Sequence, residues 1–180
     1  MTRINSIQRL KSLALLLMVA VTLPIQAASS DTANKVKAAI IFKMTRFIQW
    51  SETIAEGNVL NLCVLGDSSV YTQLKTTEGQ TSKRYNIKVK EVSKTEQSIA
   101  NCNLLYIGSS VYQFMDEVKQ LLKKKPILSV SDRAGFAQEG GMIQIKERAG
   151  RIRFTINLRS VKAVGLGISA QLLGLGKVIY

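Results

Sequence analysis

Two aspartates are the residues best placed to do acid–base chemistry in this sequence. Asp67 follows the apolar run Leu60–Leu65, and Asp132 closely follows Ile127–Val130. If both runs are parallel strands, their carboxyl ends border the crevice in which open α/β sheets usually bind ligands. Adjacent carboxylates there could act as general acid and base, or could hold a small ligand. The alternative is a local role, in which each aspartate caps a turn or the helix that follows.

The residue types that are missing exclude several classes of site. The sequence has no histidine and two cysteines, so neither a Ser-His-Asp nor a Cys-His arrangement can be built. Zinc sites made from histidine and cysteine are excluded beyond two thiolates. The sequence also lacks a phosphate loop and a Gly-x-Gly-x-x-Gly dinucleotide motif. We therefore predict no catalytic residues, no metal and no cofactor, and a carboxylate-based hydrolase or transferase is the weakest alternative.

Basic residues on a predicted hairpin are candidates for binding a partner. The alternating runs 142–146 and 151–156 are joined by a short turn, which is typical of an antiparallel hairpin. Arg151 and Arg153 share one face of the second strand, and they could extend a basic patch begun by Lys146 and Arg148. The alternative is a solvated outer face with no partner.

The apolar C-terminal segment is a second candidate for partner binding. Residues 163–176 carry no charge, and the pattern from Leu158 to about Lys177 predicts a final helix over the sheet. Ile168 and Leu172 lie in this segment and are candidate docking residues. Close packing on the sheet is the alternative.

The N-terminus has the layout of a cleaved export signal. Arg3, Arg9 and Lys11 precede an apolar run that ends in small residues, and we place cleavage after Ala27. A membrane anchor is the alternative, but the run is shorter than the roughly 20 apolar residues that span a bilayer. Removal of the three cations lowers the formal charge from +13 to +10. The domain at 28–180 is therefore expected to be basic, with anionic surfaces or acidic proteins as partners and no nucleic acid.

The two cysteines are expected to pair in an oxidising compartment. An even cysteine count in an exported domain favours a disulfide between Cys63 and Cys102. Such a bond would close a loop of about 40 residues and stabilise the fold by roughly 4 kcal/mol. The alternative is two buried thiols that pack as small apolar groups.

The remaining pattern predicts a single-domain α/β sandwich with a mainly parallel central sheet, a C-terminal antiparallel hairpin and flanking helices. An amphipathic helix is predicted over about 33–49, capped by Asp31 or Thr32. Strands are predicted at 60–65, 85–92, 104–107 and 127–130. A helix over 111–124 joins the last two strands as a βαβ unit.

Several short segments have an order and spacing typical of a known family. These segments are Phe47–Trp50, Leu62–Asp67, Cys102–Ile107, Pro126–Asp132, Phe136–Ile143, Arg151–Asn157 and Ser169–Leu173. On their account the chain resembles the YfiR family of periplasmic proteins, from about Val36 to Ile179.

The resemblance implies a compact α/β domain in the periplasm without catalytic activity. It implies that the protein binds the periplasmic sensor domain of an inner-membrane diguanylate cyclase and lowers cyclic-di-GMP and biofilm formation. An outer-membrane lipoprotein is implied as a second partner, and a homodimer is left open. Cys63 and Cys102 match the family's disulfide positions, but the prototype's second cysteine pair is missing here, which puts a redox-sensing role in doubt. The alternative function is a periplasmic small-ligand receptor coupled to a membrane signalling protein.

Overall fold

The structure is a computed structural model that describes residues 26–50, 57–148 and 151–180. The predicted export signal, residues 1–27, lies outside the described residues except for its last two. Residues Asp31–Tyr180 form one compact unit.

The described part of the chain contains ten strands and six α helices. The strands are β1 (Ile48–Gln49), β2 (Val59–Leu65), β3 (Thr81–Ser82), β4 (Tyr85–Val92), β5 (Leu104–Ile107), β6 (Leu128–Ser131), β7 (Ile143–Arg148), β8 (Arg151–Asn157), β9 (Gly167–Ile168) and β10 (Gly176–Ile179). The helices are α1 (Gln26–Met44), α2 (Ser68–Lys75), α3 (Glu96–Ile99), α4 (Met115–Leu122), α5 (Leu158–Ala163) and α6 (Ala170–Leu173). Short 3₁₀ segments occupy Thr45–Phe47 and Ser109–Phe114.

Eight strands form one mixed sheet in the order β10-β8-β7-β6-β5-β2-β4-β3. Neighbouring strands from β4 to β7 are parallel, and β7 and β8 form the predicted antiparallel hairpin. All four residues of β5 and of β6 are buried, as expected of strands covered on both faces, whereas β4 alternates because one of its faces meets solvent. The predicted fold class is therefore confirmed.

The sheet separates two apolar cores. On one face, Leu104 and Tyr106 of β5 pack with residues from α1, α2 and the C-terminal segment. On the other face, Leu105 and Ile107 pack with α4 and with the cysteine pair. The alternation of side chains along β5 thus ties both layers of helices to one strand.

The first helix differs from its prediction in where it begins and ends, at Gln26 and Met44 and not near 33 and 49. It begins at Gln26, so Asp31 and Thr32 lie inside the helix and not at its cap, and Asp31 forms an ion pair with Lys35 at 2.5 Å. Ala38, Ile41 and Met44 form its buried face, whereas Val36 is 40% exposed. The buried positions continue past the helix through Thr45 to Ile48, which pairs with Ile168 of β9.

The prediction of one C-terminal helix from Leu158 to about Lys177 is wrong. The segment breaks into α5, β9, α6 and β10, with Gly165 at a φ of +76° just after α5. Glycine adopts this conformation without steric cost, so the helix ends there. Gly176 then starts an edge strand parallel to β8, where an added Cβ would lie 3.1 Å from the Cβ of Phe154.

Candidate functional site

The carboxyl ends of the central strands meet at a point where the chain changes direction across the sheet. From β2 the chain crosses to β4 on one side, and from β5 it crosses to β6 on the other. Open α/β sheets usually bind their ligands outside such a switch point. Asp67 follows β2 and Asp132 follows β6, so both aspartates lie beyond the carboxyl ends of central strands, as the sequence predicted.

Asp67 has a local role. It is the N-cap of α2, and its Oδ1 accepts a hydrogen bond from the backbone N–H of Val70 at 3.0 Å. A carboxylate that satisfies one of the free N–H groups of a helix contributes to the start of that helix. The capping alternative therefore describes Asp67 in this structure.

Asp132 joins the first helix to the sheet. Lys37 of α1 places its Nζ 2.6 Å from one carboxylate oxygen, and the Tyr112 hydroxyl donates to the other. Partial burial by itself would raise the pKa of Asp132, but hydrogen bonds from Lys37 and Tyr112 and the charge of Lys37 outweigh it, so the pKa lies below its ordinary value. Asp132 is thus held as a carboxylate by partners from two distant parts of the chain.

Tyr106 carries a buried hydroxyl beneath this ion pair. Its side chain is fully buried, and the hydroxyl makes no hydrogen bond of normal geometry with the described residues, although it lies close enough to Asp132 to help lower the pKa of that carboxyl. Burial raises the pKa of Tyr106, and the negative charges of Asp132 and Asp67 raise it further. Both carboxylates therefore act on the same hydroxyl, which stays protonated and available as a donor.

The loss of the Asp132 carboxylate should give a pH-dependent loss of stability. Because its pKa is lower in the folded state, its contribution is fully present above the ordinary value of 3.8 and is lost as the pH falls through the lower folded-state value. We expect Asp132→Asn to lower the free energy of unfolding at pH 7 by about 1–2 kcal/mol, because the remaining Lys37 loses its charged partner. The difference from the wild type should shrink below pH 4, as measured by denaturant unfolding at several pH values.

The control is Asp116→Asn, because the Asp116 side chain is 98% exposed and pairs with Lys119 at 3.5 Å. Exposed pairs of this kind contribute little, so this change should stay within about 0.5 kcal/mol at every pH. A pH-independent loss at Asp132 would mean that packing, and not the charge, accounts for its effect.

The hairpin collects positive charge on one of its faces. The register pairs Lys146 with Arg153, and Arg151 lies two positions before Arg153 on the same strand, so these three residues belong to the same face. The opposite face carries Ile145 and its cross-strand neighbour, which contribute to the first core. The predicted basic face is therefore present, because the register of the two strands brings their basic residues to one side.

Three cations of this face have no acidic partner. Lys146, Arg151 and Arg153 are exposed, and no described carboxylate lies within ion-pair distance of any of them. Like charges directly opposite each other on neighbouring strands are destabilising. An anionic partner would offset this repulsion, so the face favours the binding of an acidic surface.

The apolar candidates at the C-terminus are placed differently from the prediction. Ile168 and Leu172 are only 9% and 2% exposed and belong to the first core, so they do not form a docking surface. The close-packing alternative is correct for both, because β9 pairs with β1 and α6 packs on the sheet. Leu175 and Tyr180 remain exposed near the end of the chain.

The two cysteines form a disulfide within the second core. Cys63 of β2 and Cys102, just before β5, have their Cα atoms 5.8 Å apart, and both side chains are buried. The bond links β2 to the segment that leads into its neighbour β5, across 39 positions of the chain. A buried bond between strands fits a structural role and an oxidising compartment.

Among residues 26–50, 57–148 and 151–180, no group of three acidic or cysteine side chains could hold a metal ion. In the same ranges, no helix is long and apolar enough to cross a membrane.

The chain is similar to one protein family and to a solved structure. The profile of a protein family described as YfiR/HmsC-like matches residues 34–177. A solved structure, described as an ABC domain in complex with L-Trp from Streptococcus pneumonia, aligns with a TM-score of 0.53 and 12% identity. The alignment covers 81% of this chain and 62% of that one, and at this identity it shows a shared fold.

Proposed function

The chain belongs to the YfiR/HmsC-like family of periplasmic regulators, and from this premise we propose that it represses an inner-membrane diguanylate cyclase. It binds the cyclase's periplasmic sensor domain, lowers cyclic-di-GMP and thereby reduces biofilm formation. In this proposal the protein is a binding module and not an enzyme, and the engagement of Asp67 and Asp132 by partners within the fold supports it.

The observation that carries the proposal is the unpartnered basic face of the hairpin, defined by Lys146, Arg151 and Arg153. Cations on an exposed, rigid strand pair can steer an acidic partner and orient it during encounter. Because the opposite face of the hairpin is anchored in the first core, this surface is held in place before binding. The proposal therefore assigns Arg151 and Arg153 to the contact with the sensor domain.

Repression follows from population shift. A bound regulator holds the sensor in its inactive state only to the extent that it binds that state more tightly than the active one. The regulator itself needs no second conformation, and only its availability has to change. An outer-membrane lipoprotein that competes for the regulator would release the cyclase.

The test is cellular cyclic-di-GMP in a strain without the gene, complemented with wild-type or altered protein. Deletion should raise cyclic-di-GMP, and the wild type should restore it. Arg151→Glu combined with Arg153→Glu should fail to restore it, because it replaces attraction to an acidic partner with repulsion. Tagged wild-type protein, but not this variant, should recover an inner-membrane diguanylate cyclase.

A charge-matched control separates the hairpin from net charge. Lys88→Glu with Lys90→Glu makes the same charge change on exposed positions of β4, five strands away in the sheet. It should complement as the wild type does. Unchanged cyclic-di-GMP on deletion, with no membrane partner recovered, would overturn the proposal. Full complementation by the arginine variant would show that the hairpin does not contact the sensor domain.

A further inference from the structure

A second surface of the protein has the character of a ligand site and plays no part in the proposed function. A cleft of about 240 Å³ lies where α4 approaches α5. Val118 and Leu122 of α4 line one side, Val164 lies at the end of α5, and Phe136 and Met142 complete the apolar lining. Apolar cavities of about 150 Å³ already bind small apolar molecules, so this volume is sufficient for a ligand.

The mouth of the cleft is cationic. Lys119, Lys123 and Lys124 line it. Lys119 is engaged by Asp116 and Glu139, but Lys123 and Lys124 are exposed, and no carboxylate of the described residues pairs with them. An apolar interior with a few charged groups at one end is the usual design of a site that binds and orients an amphiphile.

Lys124 is held there in a conformation that lysine rarely adopts. Its φ is +62°, directly after the residue that caps the C-terminus of α4. Glycine is the usual residue at this position of a helix end, because an L side chain in the left-handed region is sterically unfavourable. A lysine at this position keeps a cation at the mouth at the expense of local stability.

We propose that this cleft binds a medium-chain fatty acid, with the acyl chain between α4 and α5 and the carboxylate at Lys123 and Lys124. The lining selects a flexible apolar chain, and the two free cations select an anionic head. A protein segment or a second copy of the chain is a different occupant, and it would show neither chain-length dependence nor charge selection by small ligands. The inference stands on the cleft alone and is tested on purified protein, so its failure leaves the proposed function intact.

The test is titration calorimetry of the purified protein with decanoate below its micelle concentration. Decanoate should bind at one site per chain, and octanoate should bind roughly 15-fold more weakly because two buried methylenes are lost. Decyltrimethylammonium, with the same chain and a positive head, should not bind. No heat with decanoate, or equal binding of the cationic analogue, would overturn the proposal.

Variants then place the ligand in the cleft. Ala163→Phe adds a ring at an exposed lining position and should abolish binding while the melting temperature stays near that of the wild type. Lys124→Gly should raise the melting temperature because it relieves the backbone, yet it should weaken decanoate binding by up to about fivefold. Lys88→Gln with Lys90→Gln is the remote charge control and should bind decanoate normally. Unchanged affinity in both Ala163→Phe and Lys124→Gly would place the ligand elsewhere and overturn the assignment.

Discussion

Replacement of both Cys63 and Cys102 with alanine should lower the free energy of unfolding by about 4 kcal/mol. The bond closes a loop of 39 positions, so its loss returns considerable conformational freedom to the unfolded chain. Both side chains are buried, so the variant also leaves unfilled space in the second core. For a domain of this size the melting temperature should fall by roughly 10 °C, measured by circular dichroism under non-reducing conditions.

Reduction provides the internal control. Dithiothreitol should lower the stability of the wild type to nearly that of the double variant, and the same reagent should leave the double variant unchanged. A loss below about 1 kcal/mol in both experiments would contradict a stabilising role for the bond. The sequence contains no further cysteine, so exchange with a second pair within the chain is excluded.

Phe136→Ala should produce a comparable loss, about 3–5 kcal/mol, which is the usual range for removal of a buried aromatic ring. Phe136 is 1% exposed and belongs to the second core. Its ring lies against Gly141, where any Cβ would collide with it, so the two residues fit each other closely. Guanidinium unfolding of the purified variant measures the loss.

Phe136→Leu is the matched comparison, because it keeps most of the apolar contact and should lose clearly less stability than the alanine variant. Equal losses in the two variants would indicate that the aromatic shape, and not the buried volume, is what the site requires. A wild-type stability in Phe136→Ala would show that the turn repacks without the ring.

The parts of the fold that the sequence predicted well are those in which local pattern decides the structure. β5 and β6 are short apolar runs bounded by polar residues, and the hairpin has two alternating strands on either side of a turn. The C-terminal segment was predicted wrongly because an uncharged apolar run is compatible with a buried helix and with buried strands. Pairing of β10 with β8 and of β9 with β1 decides between them, and such pairing is a tertiary property.

The same distinction applies to the candidate sites. The positions of Asp67 and Asp132 at strand ends follow from local pattern, and so does the basic hairpin. The contact of Lys37 with Asp132 joins residues 95 positions apart and leaves no local signal. Tyr106 gave a weak signal, since a hydroxyl inside the apolar run Leu104–Ile107 needs an explanation. The cleft lined by Phe136 and Val164 depends on the approach of two helices and could not be predicted.

The pairing of β1 with β9 constrains how the protein folds. Ile48 pairs with Ile168, 120 positions further along the chain, so the two-stranded sheet closes only when nearly the whole chain is available. Contacts of such long sequence separation slow folding, because the entropy of loop closure is lost before the contact forms. If the chain crosses a membrane in extended form, N-terminus first, β1 therefore lacks its partner β9 until translocation is nearly complete. In a family of periplasmic proteins, slow closure of this kind delays compaction until the whole chain has reached the oxidising compartment where a disulfide forms.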